Sequence, residues 1–523
     1  MLMSVGRFHS KSSNAQKLQI IKQCLLPFLR KFKGKAPSST VLPEELEKRT
    51  KTLHKWWTGL LTHLKCRTTQ GVSGADKPVY LEAVSYIISR PEWRSPPSTF
   101  APLAGKLSLP AKSASSDSLS STSSDYSIQK SVQHNIKMLF IRSLYDTLSY
   151  TVERLGFRTA PPSLVAFGGK VLAYAFFFCP AVADMLITLW GVKPAILRRI
   201  PSQFGVERGM NMQVVSDAIL CEFPETLHHL GFSNVATTIK QFRTPAQPPL
   251  GVQVEWEGPW LGRWRGRDSD LLFVFFKQYH ILLCEFLPFD PTPTARLCAP
   301  GYLLVLAQLL SLIDDTIHRQ PTQNNEPIAS TTFEDLLNAS TAVPVPAKNA
   351  NNSALSMAEN KLVVLLKDVL SDTMISETAC EAFVHSFAAM LKSAVQSTQL
   401  YDQNACFQIC DLMEELVPVF TVAQKQGKGE FVDWPFWLQV TKLMLQSESN
   451  TTELRIISLV YNIYDSLAED EERKRAVVLE WLLSESVWER LFCHWCPMAR
   501  AYYMRLTCWR IARFNGEASD VDM

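Results

Sequence analysis

The sequence has no apolar run long enough to cross a membrane. Its most hydrophobic segment, residues 164–190, holds only 13 consecutive uncharged residues, Val171 to Ala183, between Lys170 and Asp184 and with Pro180 inside. A spanning helix needs roughly 20. Sustained period-2 alternation of apolar residues is also missing, which argues against a central sheet and for helices. No secretory leader precedes the chain's twelve cysteines, which are scattered through apolar patterns, as Cys179, Cys284 and Cys508 are. That usage predicts reduced thiols in a cytoplasmic protein. Arg7, Ser10, Ser12 and Ser13 precede the first acidic residue, Glu44, so a mitochondrial leader is the lesser alternative.

Catalytic signatures are lacking too. There is no GxSxG, HExxH, kinase or Walker pattern. The single C-x-x-C, Cys493-His494-Trp495-Cys496, has no second pair at a distance that would complete a zinc site. It lies amid helical patterns, whereas a thioredoxin-like motif follows a strand. His228-His229, His280 and Asp314-Asp315 stand without further ligands and read as structural groups. No catalytic residue, metal or cofactor is expected.

What is present is globular: 46% apolar and 20% charged residues, enough to build a core. The net charge of +3 hides an asymmetry, because residues 1–67 hold fourteen Lys and Arg against three Glu, +11, leaving −8 for the rest. Leu18, Ile21, Leu25, Leu29 and Phe32 recur at helical spacing among Lys22, Arg30, Lys31 and Lys33, with Pro27 as a kink. This basic arm suits either an anionic membrane surface or the capping helix of a stack.

Composition divides the chain into a basic helical region 1–90, a Ser/Pro-rich linker 91–126, a central helical region 127–318, an Asn/Ser/Pro-rich linker 319–358 and a C-terminal helical stack 359–515. Five prolines between Pro91 and Pro110 and nine serines between Ser113 and Ser127 mark the first linker, too poor in apolar groups to pack. Helices are expected from Pro43, from about Lys77 to before Pro91, from Ile128 to near Gly156, and across 164–190 with a break at Pro180. Asp433 with Pro435, Thr452, and the acidic run Glu469 to Glu472 mark further helix starts.

Two stretches combine tryptophan with arginine. Trp256, Trp260 and Trp264 stand four apart, with Gly258, Gly262 and Gly266 between them. The glycines oppose a stable helix and predict a compact loop that Arg263, Arg265 or Arg267 can cover. The structural expectation is that the indoles pin the loop to neighbouring helices; the competing one makes Trp260, Arg263, Trp264 and Arg265 a partner-binding spot. Near the C-terminus, Trp434, Trp437, Trp481, Trp488, Trp495 and Trp509 are expected to share a core. Arg500, Arg505 and Arg510, interleaved with Tyr502, Tyr503 and Trp509, are further candidate contacts for RNA or for a protein hot spot.

HKWWTGLLTHL at 54–64, GRDSDLLFVFFKQYHILLCEFLP at 266–288, NTTELRIISLVYNIYD at 450–465 and VWERLFCHWCPMARAYYMRLTCWRI at 487–511 carry a resemblance to a known family. The sequence resembles the fungal family named domain of unknown function 1765, some of whose members are labelled membrane proteins. The resemblance implies a fungal source and no activity. The residues themselves predict an all-α fold, an irregular armadillo- or HEAT-like helical-repeat stack interrupted by two disordered linkers. The expected function is that of a non-enzymatic cytoplasmic scaffold or adaptor for protein partners. The alternative is a peripheral membrane protein held on an anionic surface by the basic arm; no nucleic-acid partner is expected.

Overall fold

The structure, a computed structural model, describes Phe8 and residues 13–31, 43–66, 72–94, 122–242, 245–249, 252–266, 269–288, 290–319, 357–373 and 375–513. Among these residues there are helices and turns and no strand, so the fold is all-α. The chain divides into two compact units, Met1–Gln308 and Leu309–Met523. Most of both linker assignments falls on residues 95–121 and 320–356, outside the described ones.

In the first unit the helix Pro162–Phe178 is the hub. Proline in its first turn is preset for a helical start, and twelve of its residues are buried. It packs against Asp270–Phe286, Thr122–Leu155 and Lys77–Ile88. Gly168 and Gly169 lie mid-helix, where each weakens helix formation by roughly 1 kcal/mol relative to alanine. A Cβ on Gly169 would stand 2.5 Å from Val274 Cγ1 and 3.0 Å from the Phe275 backbone nitrogen. Close approach to the partner helix is thus the reason for glycine here. After Phe178 the chain breaks at Pro180, as the sequence predicts, and Ala181 takes a left-handed φ of 62° before Val182–Thr188 begins.

The helix Pro43–Lys65 starts where expected and buries Trp56 and Trp57. Trp57 donates its indole N–H to Thr147 Oγ1 at 2.9 Å, and its ring meets Trp93 and Phe140 edge-on. Trp93 belongs to a 3-10 turn, Pro91–Trp93, so the Pro-rich stretch begins with a residue of the core. The long helix begins at Thr122, earlier than Ile128. At the N-terminal end, Ser13 and Gln16 form a reciprocal capping box ahead of Asn14–Ile20. A π-helical turn, Ile21–Leu25, ends two residues before Pro27, where the sequence predicts a kink.

In the second unit Asn450–Asn462 is central, packed against Gln403–Lys425, Trp434–Leu445 and Pro497–Leu506. Asp433 caps its helix by accepting from the Phe436 N–H, and Asp470 does the same for Arg473. The expected cap at Thr452 is displaced: Ser449 stands at the N-cap and Thr452 is buried within the first turn. Arg455, half-enclosed, joins Asp411 at 2.6 Å and Glu414 at 2.5 Å, bracing two helices.

Candidate functional site

The tryptophan–glycine loop of the first unit buries its indoles while Glu257, Pro259, Gly262 and Arg265 stay exposed. Residues 256–265 form turns with one helical turn, Leu261–Trp264. Trp260 is 1% exposed and Trp264 fully buried. Both indole N–H groups are satisfied by backbone carbonyls, Trp260 by Glu255 at 2.8 Å and Trp264 by Leu186 at 3.1 Å. Trp264 stacks on Trp190 with centroids 5.4 Å apart and meets Phe275 edge-on. Arg263 pairs with Asp270 at 2.6 Å, while Arg265 is exposed. The fold brings this set of candidates together, and it does so with the two indoles turned inward.

The C-terminal candidates are arranged differently. Of the six tryptophans expected to share a core, Trp434 and Trp481 are buried and Trp437 is half-buried. Trp488 is 38%, Trp495 76% and Trp509 59% exposed. Trp495 lies on the loop between two helices, and Trp509 on the π-helical turn Thr507–Ile511 that follows the second. Glu485–Phe492 and Pro497–Leu506 are short and bury little more than one stripe, Leu491 from the first and Ala499, Tyr503 and Leu506 from the second. Burial of Tyr503 raises its phenol pKa to about 12, and its O–H donates to the Leu482 carbonyl.

A second stripe, Met498, Tyr502, Arg505 and Trp509, follows at spacings of four, three and four, which places it on one helix face. Met498 and Trp509 on it are exposed. Trp488 and Phe492 stack on each other at 4.9 Å, and the edge of Trp488 meets Tyr503. Trp495 stacks on His494. The last helices and the loop between them thus carry exposed aromatic residues together with arginines.

Arginine roles on this face are separable. Arg500 donates to the His494 carbonyl and to Trp495 O at 3.4 Å, holding the loop between the helices. Arg510 lies over the Tyr461 ring at 4.6 Å and 3.3 Å from Asp465. Arg505 and Arg513 are exposed. Beneath the loop is Glu453, 2% exposed, with Arg490 Nη1 at 2.5 Å from one oxygen and His494 Nε2 at 3.1 Å from the other. His494 Nδ1 accepts from the Cys496 N–H at 3.1 Å. The exposed aromatics are what sequence reasoning missed. The signal available was the second stripe itself, because the face that carries arginine is the one that stays wet.

Elsewhere the candidates resolve into local structure. His228 Nε2 contacts the Phe223 carbonyl at 2.9 Å, and His229 Nε2 lies 2.8 Å from Asp184. They border a polar cleft of about 360 Å³ with Ser216, Asp217, Ser233 and Thr237. Among the described residues no group of three or more His, Cys, Asp or Glu is placed to hold a metal ion. None of the twelve cysteines is joined in a disulfide. In the basic arm Ile21, Leu25, Leu26 and Leu29 are buried, so its apolar stripe faces the protein. Arg30 there pairs with Glu82 at 2.6 Å. No helix among the described residues is long and apolar enough to cross a membrane.

The UPF0592 membrane protein of Schizosaccharomyces pombe is 24% identical over 519 residues, covering 96% of this chain and 51% of the relative. The chain therefore spans about half the length of that relative. No solved structure matches it. The model of the family described as "Protein of unknown function (DUF1765)" matches residues 387–511, which include the exposed aromatic residues of the last helices.

Proposed function

We propose that this protein is a non-enzymatic adaptor that works at a membrane surface. It rests on the lipid through the aromatic–arginine face of its last helices and leaves other helical surfaces to protein partners. The observation that carries this reading is the outward placement of Trp495 and Trp509 in a fold that buries Trp56, Trp57, Trp260 and Trp264. Tryptophan favours the membrane–water boundary, where its apolar body and polar N–H are both accommodated. The S. pombe relative bears the name of a membrane protein. Attachment at the surface accommodates that name without a spanning helix, which the described residues lack. The apolar stripe of the basic arm is packed inward, so the C-terminal face supports the reading better than the arm does.

Cell fractionation tests it. The parent protein is expected in the membrane fraction and should be released by alkaline carbonate. The variant carrying Trp495→Ala and Trp509→Ala is expected in the soluble fraction with an unchanged melting temperature. Retention through carbonate, with release only by detergent, would overturn the surface-bound reading.

A further inference from the structure

We infer that the C-terminal face selects anionic lipid, with Arg505 and Arg513 as the phosphate-contacting groups and Trp495 and Trp509 as the side chains that enter the interface. This rests on the membrane-surface reading above and adds the lipid class and the residues. Residues 497–513 contain Arg500, Arg505, Arg510 and Arg513 and no acidic residue. Two of the four are committed within the fold, Arg500 to the loop carbonyls and Arg510 to Tyr461 and Asp465. Among the described residues Arg505 and Arg513 meet no acidic partner, and both are exposed.

Arg505 shares its helix face with Met498 and Trp509. A cation beside an indole on one helix face matches the headgroup layer, where phosphate lies next to the acyl boundary. An acidic protein would satisfy the charge as well. The observations favour lipid because Trp495, on the loop between two helices, and Trp509 stand out into solvent at 76% and 59% exposure. Protein hot spots, by contrast, centre on packed, desolvated pockets. The acidic residues Glu485 and Glu489 lie on the preceding helix, and Arg490 is held by Glu453.

The test uses the full chain and two sets of vesicles, phosphatidylcholine alone and phosphatidylcholine with about a fifth of phosphatidylserine. Co-sedimentation and tryptophan emission are read together. Binding to the anionic vesicles is expected, with a blue shift, and added salt should weaken it. A juxtamembrane arginine contributes about fivefold in binding to an anionic surface, so Arg505→Gln with Arg513→Gln should weaken it on the order of 30-fold. Trp495→Ala with Trp509→Ala should remove the blue shift while both variants melt as the parent does. Equal binding to both vesicle types, with no effect of the arginine changes, would overturn the lipid selectivity and leave the membrane-surface reading in place. Binding to neither would overturn both.

Discussion

The loop of residues 256–265 and the helices of residues 485–511 share a composition, tryptophan spaced among arginine, and differ in where the indoles end. In the loop the backbone turns tightly, with Gly266 at a left-handed φ of 104°, and Trp260 and Trp264 reach inward, where their N–H groups find the carbonyls of Glu255 and Leu186. Arg263 closes the loop against Asp270. In the helices the backbone satisfies itself, and each helix has only a narrow stripe to bury. Trp488, Trp495 and Trp509 are left on the outside. The lesson is that an aromatic–basic composition does not distinguish an internal pin from an external face. The local backbone does, by deciding how many faces a segment presents to its core.

The largest expected effect that sharpens this comparison is at Trp264. Replacing it with alanine removes the ring stacked on Trp190 and touching Phe275. Truncation of a buried tryptophan costs about 3–5 kcal/mol, and a calorimetric melt of Trp264→Ala should show the corresponding drop.

The next effect is in pH. His280 is buried on Asp270–Phe286, donates from Nδ1 to the Phe276 carbonyl at 2.8 Å, and lies near Arg296; burial is the main reason its pKa falls to about 4. The unfolded chain, with its histidine near pKa 6.5, takes up a proton that the folded state refuses. Stability should therefore fall as pH drops from about 6.5 to 4, by roughly 3 kcal/mol in all, and this group adds no slope outside that window. His280→Leu should flatten that part of a denaturant-measured stability profile; an unchanged slope would mean that other groups set it.

The smallest effect belongs to the exposed face. Trp495→Ala with Trp509→Ala should shift stability by no more than about 0.5 kcal/mol, as exposed substitutions do. A loss comparable with that of Trp264→Ala would erase the contrast between the two regions and with it the case for a docking face.

Much of the fold was legible because it is written in local chemistry. Proline at the start of Pro43–Lys65, the Asp433 cap with Pro435 behind it, and the break at Pro180 act within one turn. What failed depended on neighbours distant in sequence. Trp93 sits in a proline-rich stretch that reads as linker, yet Trp57 and Phe140 enclose it. Thr452 looks like a cap, yet Ser449 starts the helix and Thr452 turns inward. For the candidate face, Arg500, Arg505 and Arg510 were visible as a basic helix. Their division into two committed arginines and one outward one required the positions of Asp465, Tyr461 and the 493–496 loop.

The buried carboxylate of Glu453 has a consequence for how the face would engage any surface. Through Arg490, which also donates to the Leu445 carbonyl at 3.0 Å, and through His494, it fixes the loop that carries Trp495. Arg500 clamps the same loop from the other side. Immobilising a side chain on association costs about 0.5–1.5 kcal/mol. Here the loop's conformational entropy is surrendered when the chain folds, so little is left to lose when Trp495 meets its target. Contact and release can then follow the chemistry of the indole and its surroundings, without a slow reordering of the backbone beneath it.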